Sequence, residues 1–228
     1  MTSPIPVAAV EGLVRRIRTL KSVPRLARGM DYTLAIEDCP DTVPAGTGIL
    51  LVHPSTGETD RIDTDFLKTD TDALLVVSTR TTAREVKQKL DHYGVAGEHV
   101  AEDAARAEIL DTLSVERGYS RRSSPDVHYV SAPDDLDGIV EQVEDFLARN
   151  DGKRRVSVDS ITELAYYAGE EPTREAVERL LGLLVEYDAV GLFHLSAEVH
   201  EPDVIEAYRG LFDGTIDLAE DGTVTGRF

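Results

Sequence analysis

The spacing of apolar residues follows two periods that alternate along the chain. Short apolar runs predict buried strands at 48–52, 73–78, 108–113, 127–130, 155–159 and 189–196. Between them, apolar residues recur at helical spacing, which predicts helices near 61–68, after 82, after 131, after 172 and near 202–211. Repeated strand–helix units predict an α/β fold, with a mostly parallel central sheet and helices on both faces.

Local signals indicate where several of these elements begin. Thr82 and Glu85 have the spacing of a capping box, so a helix is expected to start at this point. Pro133 and Pro172 are expected in the first turns of two further helices, because proline suits a helix start. These signals make the helix starts more specific than the periodicity alone.

The two ends of the chain depart from the alternating pattern. Apolar residues within 7–20 share one helical face, so 1–28 is interpreted as a basic, amphipathic N-terminal arm. Residues 29–228 are interpreted as the main domain, with 29–46 as a connecting segment that leads into it. Near the other end, Asp221-Gly222 separates two short apolar segments and predicts a C-terminal β-hairpin.

The balance of acidic and basic residues indicates the salt concentration in which the protein works. The chain has 43 acidic and 24 basic residues, a formal net charge of −19, and only five of the basic residues are lysines. A dense carboxylate surface with few lysines is typical of proteins kept soluble in molar salt, where charges are screened within about 3 Å. We therefore predict a cytoplasmic protein of a salt-accumulating, halophilic archaeon.

Composition also argues against several classes of function. Cys39 is the single cysteine, which excludes a disulfide framework and a cysteine metal cluster. No apolar run reaches the length of a membrane span, and the N-terminus lacks the apolar core of a signal peptide. The arm at 1–28 is basic, but no nucleic-acid-reading motif accompanies it and phosphate contacts weaken with salt. A nucleic-acid partner is therefore not expected, and the arm is expected to dock on the acidic domain of its own chain.

The segment after the first buried strand has the layout of a phosphate-binding loop. It reads His53-Pro-Ser-Thr-Gly-Glu-Thr59, in which Gly57 and Thr59 match the last glycine and the Mg²⁺-holding hydroxyl of such loops. Glu58 stands where the loop needs its lysine. At about 4 Å, a carboxylate and a phosphate repel by roughly 1 kcal/mol in water and by about 4 kcal/mol at a surface-like dielectric. The loop is therefore expected to be a poor nucleotide site.

The order of these parts resembles the RecA/KaiC-type ATPase domain, in particular short single-domain KaiC-like proteins of halophilic archaea. The resemblance covers roughly 25–228. The stretch Val156-Ser-Val-Asp159-Ser160 is similar to the Walker B strand of that family, and Ser78-Thr79-Arg80 stands where the family carries two water-activating glutamates. The segment 213–222 is similar to its closing strands. The resemblance implies a three-layer RecA-like P-loop fold with a C-terminal β-hairpin.

The resemblance also implies which residues would line a nucleotide site. These are Ser55, Thr56, Gly57, Glu58, Thr59, Asp159 and Ser160, with Thr59 and Asp159 as the Mg²⁺ ligands if the metal is bound. No catalytic residue is assigned, because both the loop lysine and the glutamate pair are missing. Asp159 is interpreted either as an inherited, idle metal position or as a strand-end acid that caps the next turn.

The expected function follows from this double loss. We predict a non-catalytic pseudo-ATPase that acts as a regulatory or scaffolding module and binds a protein partner, either a related active ATPase or a second copy. No cofactor is expected. The alternative is a protein that binds Mg-ATP with little or no hydrolysis and signals by nucleotide occupancy. The six histidines show no zinc-binding spacing, and His194, inside an apolar strand, is expected to be a core residue.

Overall fold

A computed structural model describes residues 30–96, 105–119 and 124–228. The arm predicted at 1–28, including its helix at 7–20, lies outside the described residues. The strands are β1 Asp31–Thr33, β2 Thr42–Pro44, β3 Gly48–His53, β4 Ala73–Ser78, β5 Arg106–Asp111, β6 Val127–Tyr129, β7 Arg154–Asp159, β8 Val190–Ser196, β9 Gly214–Leu218 and β10 Val224–Arg227. The helices are α1 Asp60–Lys68, α2 Ala83–His92, α3 Leu136–Arg149, α4 Ile161–Ala168, α5 Glu170–Glu186 and α6 Pro202–Arg209.

Eight of the described strands form one sheet, in the order β10-β9-β3-β8-β7-β4-β5-β6. All neighbours in it are parallel except β9 and β10, which form the predicted C-terminal hairpin. The central strands β3, β4 and β8 are buried along their whole length, as their continuous apolar sequences predict. The α/β class with a mostly parallel sheet is therefore confirmed.

Helices cover both faces of the sheet, as predicted. Alternate residues of a strand point to opposite faces. Val158 and Phe193 belong to the apolar core that α3, α4 and α5 form on one face. Residues of the opposite parity contact α1 on the other face: Arg155 lies over the ring of Phe66, and His194 contacts Asp63. The face of the sheet that contacts α1 therefore has ionisable side chains inside the fold.

The helix starts agree with the sequence in one case and differ in another. Thr82 and Glu85 form the predicted capping box at the start of α2. The prediction that Pro133 lies in a first helical turn is wrong, because α3 begins only at Leu136. Asp135 is the N-cap there, and its carboxylate accepts the Gly138 N–H at 3.0 Å. That side-chain cap satisfies the free N–H and moves the helix start past the proline.

Three further boundaries differ from the sequence expectation. The segment 29–46 is not only a connector, because its short strands β1 and β2 pair with each other and Tyr32 of β1 is buried. The helix expected to start at Pro172 begins two residues earlier, at Glu170. A separate helix, α4, precedes it and was not predicted, since its apolar residues continue directly from the Walker B-like strand.

Candidate functional site

The predicted site residues come from neighbouring strand ends. Parallel strands carry their carboxyl ends to the same edge of a sheet, where α/β proteins bind their ligands. Ser78 at the end of β4 is in register with Asp159 at the end of β7. His53 at the end of β3 is in register with Ser196 at the end of β8. The phosphate-loop-like segment, the Ser78-Thr79-Arg80 segment and Asp159 therefore share one edge.

The loop after β3 forms a tight turn that already holds an anion of the protein itself. The Gly57 N–H donates to the Pro54 carbonyl at 2.8 Å, and a Cβ at Gly57 would lie only 3.0 Å from that oxygen. The Ser55 N–H donates to the carboxylate of Glu198 at 2.9 Å. Hydrogen bonds from Ser55 also hold the pKa of Glu198 below its usual range. A glutamate thus occupies a loop N–H that a phosphate oxygen would use.

The hydroxyl at the end of the loop is buried and hydrogen-bonded within the protein. Thr56 and Glu58 are exposed, whereas Thr59 is buried. The Thr59 hydroxyl donates to Asp63 Oδ2 at 2.9 Å, one turn into α1. That contact fixes the orientation of the hydroxyl that the RecA/KaiC resemblance gives to Mg²⁺.

A buried ion pair links α1 to the sheet directly behind the loop. His194 Nε2 lies 2.8 Å from Asp63 Oδ1, and the His194 side chain is 0% exposed. The N–H does not point well at the carboxylate, so the contact is an ion pair more than an aligned hydrogen bond. Burial is the largest single influence and pushes the pKa of Asp63 up, but His194, Lys89 and the Thr59 hydroxyl together outweigh it and bring the pKa to about 2. Burial favours neutral His194, yet the charge of Asp63 raises its pKa.

A second histidine contacts this pair and stays neutral. The ring of His53 meets the ring of His194 edge-on, with 5.5 Å between their centroids. His53 Nδ1 lies 2.8 Å from the Pro54 carbonyl, which can only accept, so Nδ1 carries the proton. Burial lowers the pKa of His53, which keeps the ring uncharged at neutral pH. A neutral ring there cannot replace the missing loop lysine.

Asp159 is paired with the arginine that follows β4. Arg80 Nη2 lies 2.6 Å from Asp159 Oδ1, and both side chains are partly exposed. Thr79 stabilises the same turn, because its hydroxyl donates to the Asp159 carbonyl at 2.8 Å and accepts the Ser160 N–H at 2.6 Å. The hydroxyl of Ser160 contacts Glu163. A cation therefore stands where the RecA/KaiC family carries its two glutamates.

The charged groups border a cleft of about 310 Å³ between α1 and α2. Lys89 reaches across it from α2, with Nζ 2.6 Å from Asp60 and 3.6 Å from Asp63. The Tyr93 hydroxyl donates to Asp60 at 2.7 Å. Every cation named at this edge thus contacts a carboxylate of the protein.

Mg-ATP does not fit this arrangement as it stands. Its phosphates would have to displace Glu198 from the Ser55 N–H and approach Glu58 without a lysine. Its metal would have to reach the buried hydroxyl of Thr59 and take Asp159 from Arg80. Within residues 30–96, 105–119 and 124–228, no set of three His, Cys, Asp or Glu side chains is arranged to hold a metal ion.

Sequence reasoning identified part of this site and missed part. It assigned the loop residues, Asp159 and Ser160, and the structure places them at one edge of the sheet. It missed Asp63, Glu198 and Lys89, which lie in helices or after a strand and carry no motif. The prediction that His194 is a core residue is confirmed, but its ionic partner was not foreseen.

The chain was compared with known families, and the family described as "Family of unknown function (DUF7090)" matches residues 30–228. The chain belongs to this family. No curated protein matches this DUF7090 chain. Every helix in its described residues is too short or too polar to span a lipid bilayer.

Solved structures with the same fold include three that are distant in sequence. An ATPase from the type III secretion system of pathogenic bacteria is 13% identical, with a TM-score of 0.57, and the match covers 87% of this chain but only 60% of that one. An uncharacterized Pyrococcus horikoshii protein, PH0321, in complex with an unknown peptide, is 16% identical, with a TM-score of 0.58 and coverage of 81% and 83%. The KaiC-like protein PH0186 of Pyrococcus horikoshii is 17% identical, with a TM-score of 0.51 and coverage of 86% and 88%. These likenesses establish a RecA/KaiC-like fold.

Proposed function

We propose that this DUF7090 chain is a non-catalytic RecA/KaiC-like pseudo-ATPase that works as a regulatory or scaffolding module. One observation carries the proposal: protein side chains already contact the groups that would bind nucleotide and metal. Glu198 holds the Ser55 N–H, Asp63 holds the Thr59 hydroxyl and Arg80 holds Asp159. Phosphoryl transfer depends almost entirely on positioning and charge stabilisation, and these residues supply neither.

An exposed aromatic surface supports a role in protein binding. Tyr166 is 81% exposed, and its ring meets the ring of Tyr167 edge-on at 5.2 Å. Arg117 interacts with the side chains of Tyr119 and Tyr167. Tyrosine and arginine are enriched in the energetically dominant parts of protein interfaces. One solved structure of the same fold also holds a peptide, which is a property of that protein and a motive for the proposal here.

The second candidate is a Mg-ATP-binding protein with little or no hydrolysis. It is favoured by the residues of the loop that remain, Gly57, Thr59 and Asp159. High intracellular cation would then offset the charge of Glu58. On either proposal the protein works in the cytoplasm of a halophile, and its partner is a related active ATPase or a second copy of the chain.

A thermal-shift experiment in molar KCl separates the two candidates. Ligands that bind only the folded state stabilise it by RT ln(1 + [L]/Kd), so the melting temperature rises with ligand concentration. For the pseudo-ATPase, Mg-ATP is expected to leave the melting temperature unchanged, equally in the wild type and in Asp159→Asn. A rise with Mg-ATP in the wild type that Asp159→Asn removes would instead establish the nucleotide binder. Capture from native cells at high salt with wild-type protein and with Tyr166→Ser as bait tests the partner side, because the variant should lose the specific partner.

A further inference from the structure

A second cleft lies at the same edge of the sheet, on the other side of the loop. It has a volume of about 460 Å³ and lies between α6 and the ends of β3, β8 and β9. We call it the α6 cleft. Apolar residues form its floor and acidic residues form its rim. The floor includes Val52, Ile205 and Leu218, and the rim includes Glu198, Glu206 and Glu220.

The charge of the α6 cleft is strongly one-sided. Its lining contains four carboxylates, those of the three rim glutamates and of Asp217, against the single guanidinium of Arg209. Arg209 forms an ion pair with Asp217, and Arg227 lies 3.1 Å from the same carboxylate. The Arg209 Nε lies 3.2 Å from Glu206, whose side chain is 75% exposed. The rim as a whole keeps an excess of negative charge.

We infer that the α6 cleft binds a segment of a partner polypeptide in which basic and apolar side chains alternate. The inference rests on the proposed function, which it deepens by naming the chemistry of the partner. An acidic rim repels a phosphate, so the cleft does not suit a nucleotide or a nucleic acid. An apolar floor of this size suits aliphatic side chains, and a cation on the same segment is placed to meet the rim.

One residue of the α6 cleft also contacts the phosphate-loop-like segment. Glu198 stands on the cleft rim and also accepts the Ser55 N–H of the loop. A cation that contacts the Glu198 carboxylate therefore changes the electrostatic surroundings of Ser55. Occupancy of the cleft is expected to shift the amide signal of Ser55 in an NMR spectrum, although Ser55 does not line the cleft.

The test uses the full chain and a fluorescein-labelled synthetic peptide of alternating arginine and leucine, in about 0.1 M KCl. Binding is measured by fluorescence anisotropy. Glu206→Gln with Glu220→Gln is expected to weaken binding about fivefold, the size expected for two exposed charge contacts. A peptide with serine in place of leucine is expected to bind more weakly than the parent peptide. In about 1 M KCl, the loss of affinity from the serine substitution should persist, whereas the loss from the two glutamine substitutions should largely disappear.

A charge-matched control is essential, because an acidic protein attracts any basic peptide. Glu141→Gln with Glu175→Gln removes two exposed carboxylates from α3 and α5, away from the cleft lining. The control pair should leave binding nearly unchanged. No binding, or an equal loss in both double variants, overturns the cleft inference and leaves the account of the loop intact. ATP hydrolysis by a protein that still binds the peptide overturns the proposed function and leaves the cleft inference intact.

Discussion

The two ends of strand β7 carry charge in opposite ways. At the amino end, Arg155 is 0% exposed and lies between two aromatic rings, 5.3 Å from the centroid of Tyr32 and 5.0 Å from that of Phe66. Its Nη2 donates to the Thr33 carbonyl at 2.7 Å, and within the described residues no carboxylate oxygen lies within 4 Å of it. At the carboxyl end, Asp159 is partly exposed and paired with Arg80.

The difference separates a buried, structural charge from charges at an accessible cleft. Arg155 is stabilised by aromatic faces and one carbonyl, and burial lowers its pKa only to about 10, so it stays charged at neutral pH. At the other end, Asp159 and Asp60 pair with Arg80 and Lys89 at an accessible cleft. Under the proposed function, these pairs stand where a nucleotide and its metal would bind. The predictions below contrast the two ends, from the largest expected effect to the smallest.

Removing the buried acid behind the loop should cost the most stability. Asp63→Ala leaves His194 buried without its partner and removes the acceptor of the Thr59 hydroxyl. We expect a loss of about 3 kcal/mol in the free energy of unfolding, as for other broken buried pairs. Urea denaturation measures it, with Asp65→Ala on the same helix as control. Equal losses in the two variants would contradict a special role for the pair.

The pH dependence of stability should show the same pair. The pKa of His194 is raised in the folded state, so its contribution is complete below the ordinary value of about 6.5 and is lost as pH rises through the raised value. The pKa of Asp63 is lowered to about 2, so its contribution is present above about 4 and is lost as pH falls toward 2. Between these limits the pair contributes most.

The loss of stability above pH 6.5 is the part of this pH dependence that tests the pair of Asp63 and His194. His53, whose pKa is lowered by burial, weakens the fold only below about 6.5. Asp159 and Arg80 also influence the pKa of His194, and both are retained in the comparison that follows. Urea unfolding across that range should show falling stability in the wild type and a flatter profile in His194→Gln. Parallel profiles would contradict the assignment.

At the amino end, an apolar substitute should be tolerated better than a cavity. Arg155→Met fills the slot between the rings and leaves no acid unpaired. It loses the hydrogen bond to Thr33, while contacts of the methionine sulfur with the rings offset part of the lost cation–π attraction. The expected loss is about 1 kcal/mol, against about 3 kcal/mol for Arg155→Ala, which also leaves a cavity. Thermal unfolding of both variants measures the contrast. Equal losses would show that the guanidinium, and not the filling of the slot, stabilises this end.

Breaking the accessible pair at the carboxyl end should cost least. Arg80→Gln removes the partner of Asp159 in a partly exposed position, where ion pairs contribute under about 1 kcal/mol. Arg179→Gln, which breaks the exposed pair between Arg179 and Asp137, serves as the control in the same urea assay. A loss as large as that of Asp63→Ala would mean that Arg80 is a structural residue.

The sequence could predict most of the fold, because buried strands and amphipathic helices are encoded by nearby residues. The continuous apolar runs of β4 and β8 and the capping box of α2 are examples. It could not predict β1 and β2, whose three-residue strands are too short to show a period. It also missed α4, because helix and strand cannot be distinguished when one apolar stretch follows another.

The site was predictable only where a motif or a strand end marks it. Arg80 and Asp159 follow adjacent parallel strands, so their pairing could have been inferred once the order of the sheet was known. The contact of Ser55 with Glu198 joins residues 143 positions apart, and no local pattern encodes it. The pairing of Asp63 with His194 likewise depends on how α1 packs on β8. Long-range contacts of this kind decide whether the loop can accept a ligand.

Calorimetric titration of the wild type with Mg-ATP in molar KCl tests the central claim most directly, with Glu58→Lys combined with Glu198→Ala as the comparison. The account predicts no saturable heat for the wild type. It predicts measurable binding for the double variant, because a cation replaces the repelling acid and the Ser55 N–H becomes free. Tight, saturable binding of Mg-ATP to the wild type, abolished by Asp159→Ala, would contradict the account.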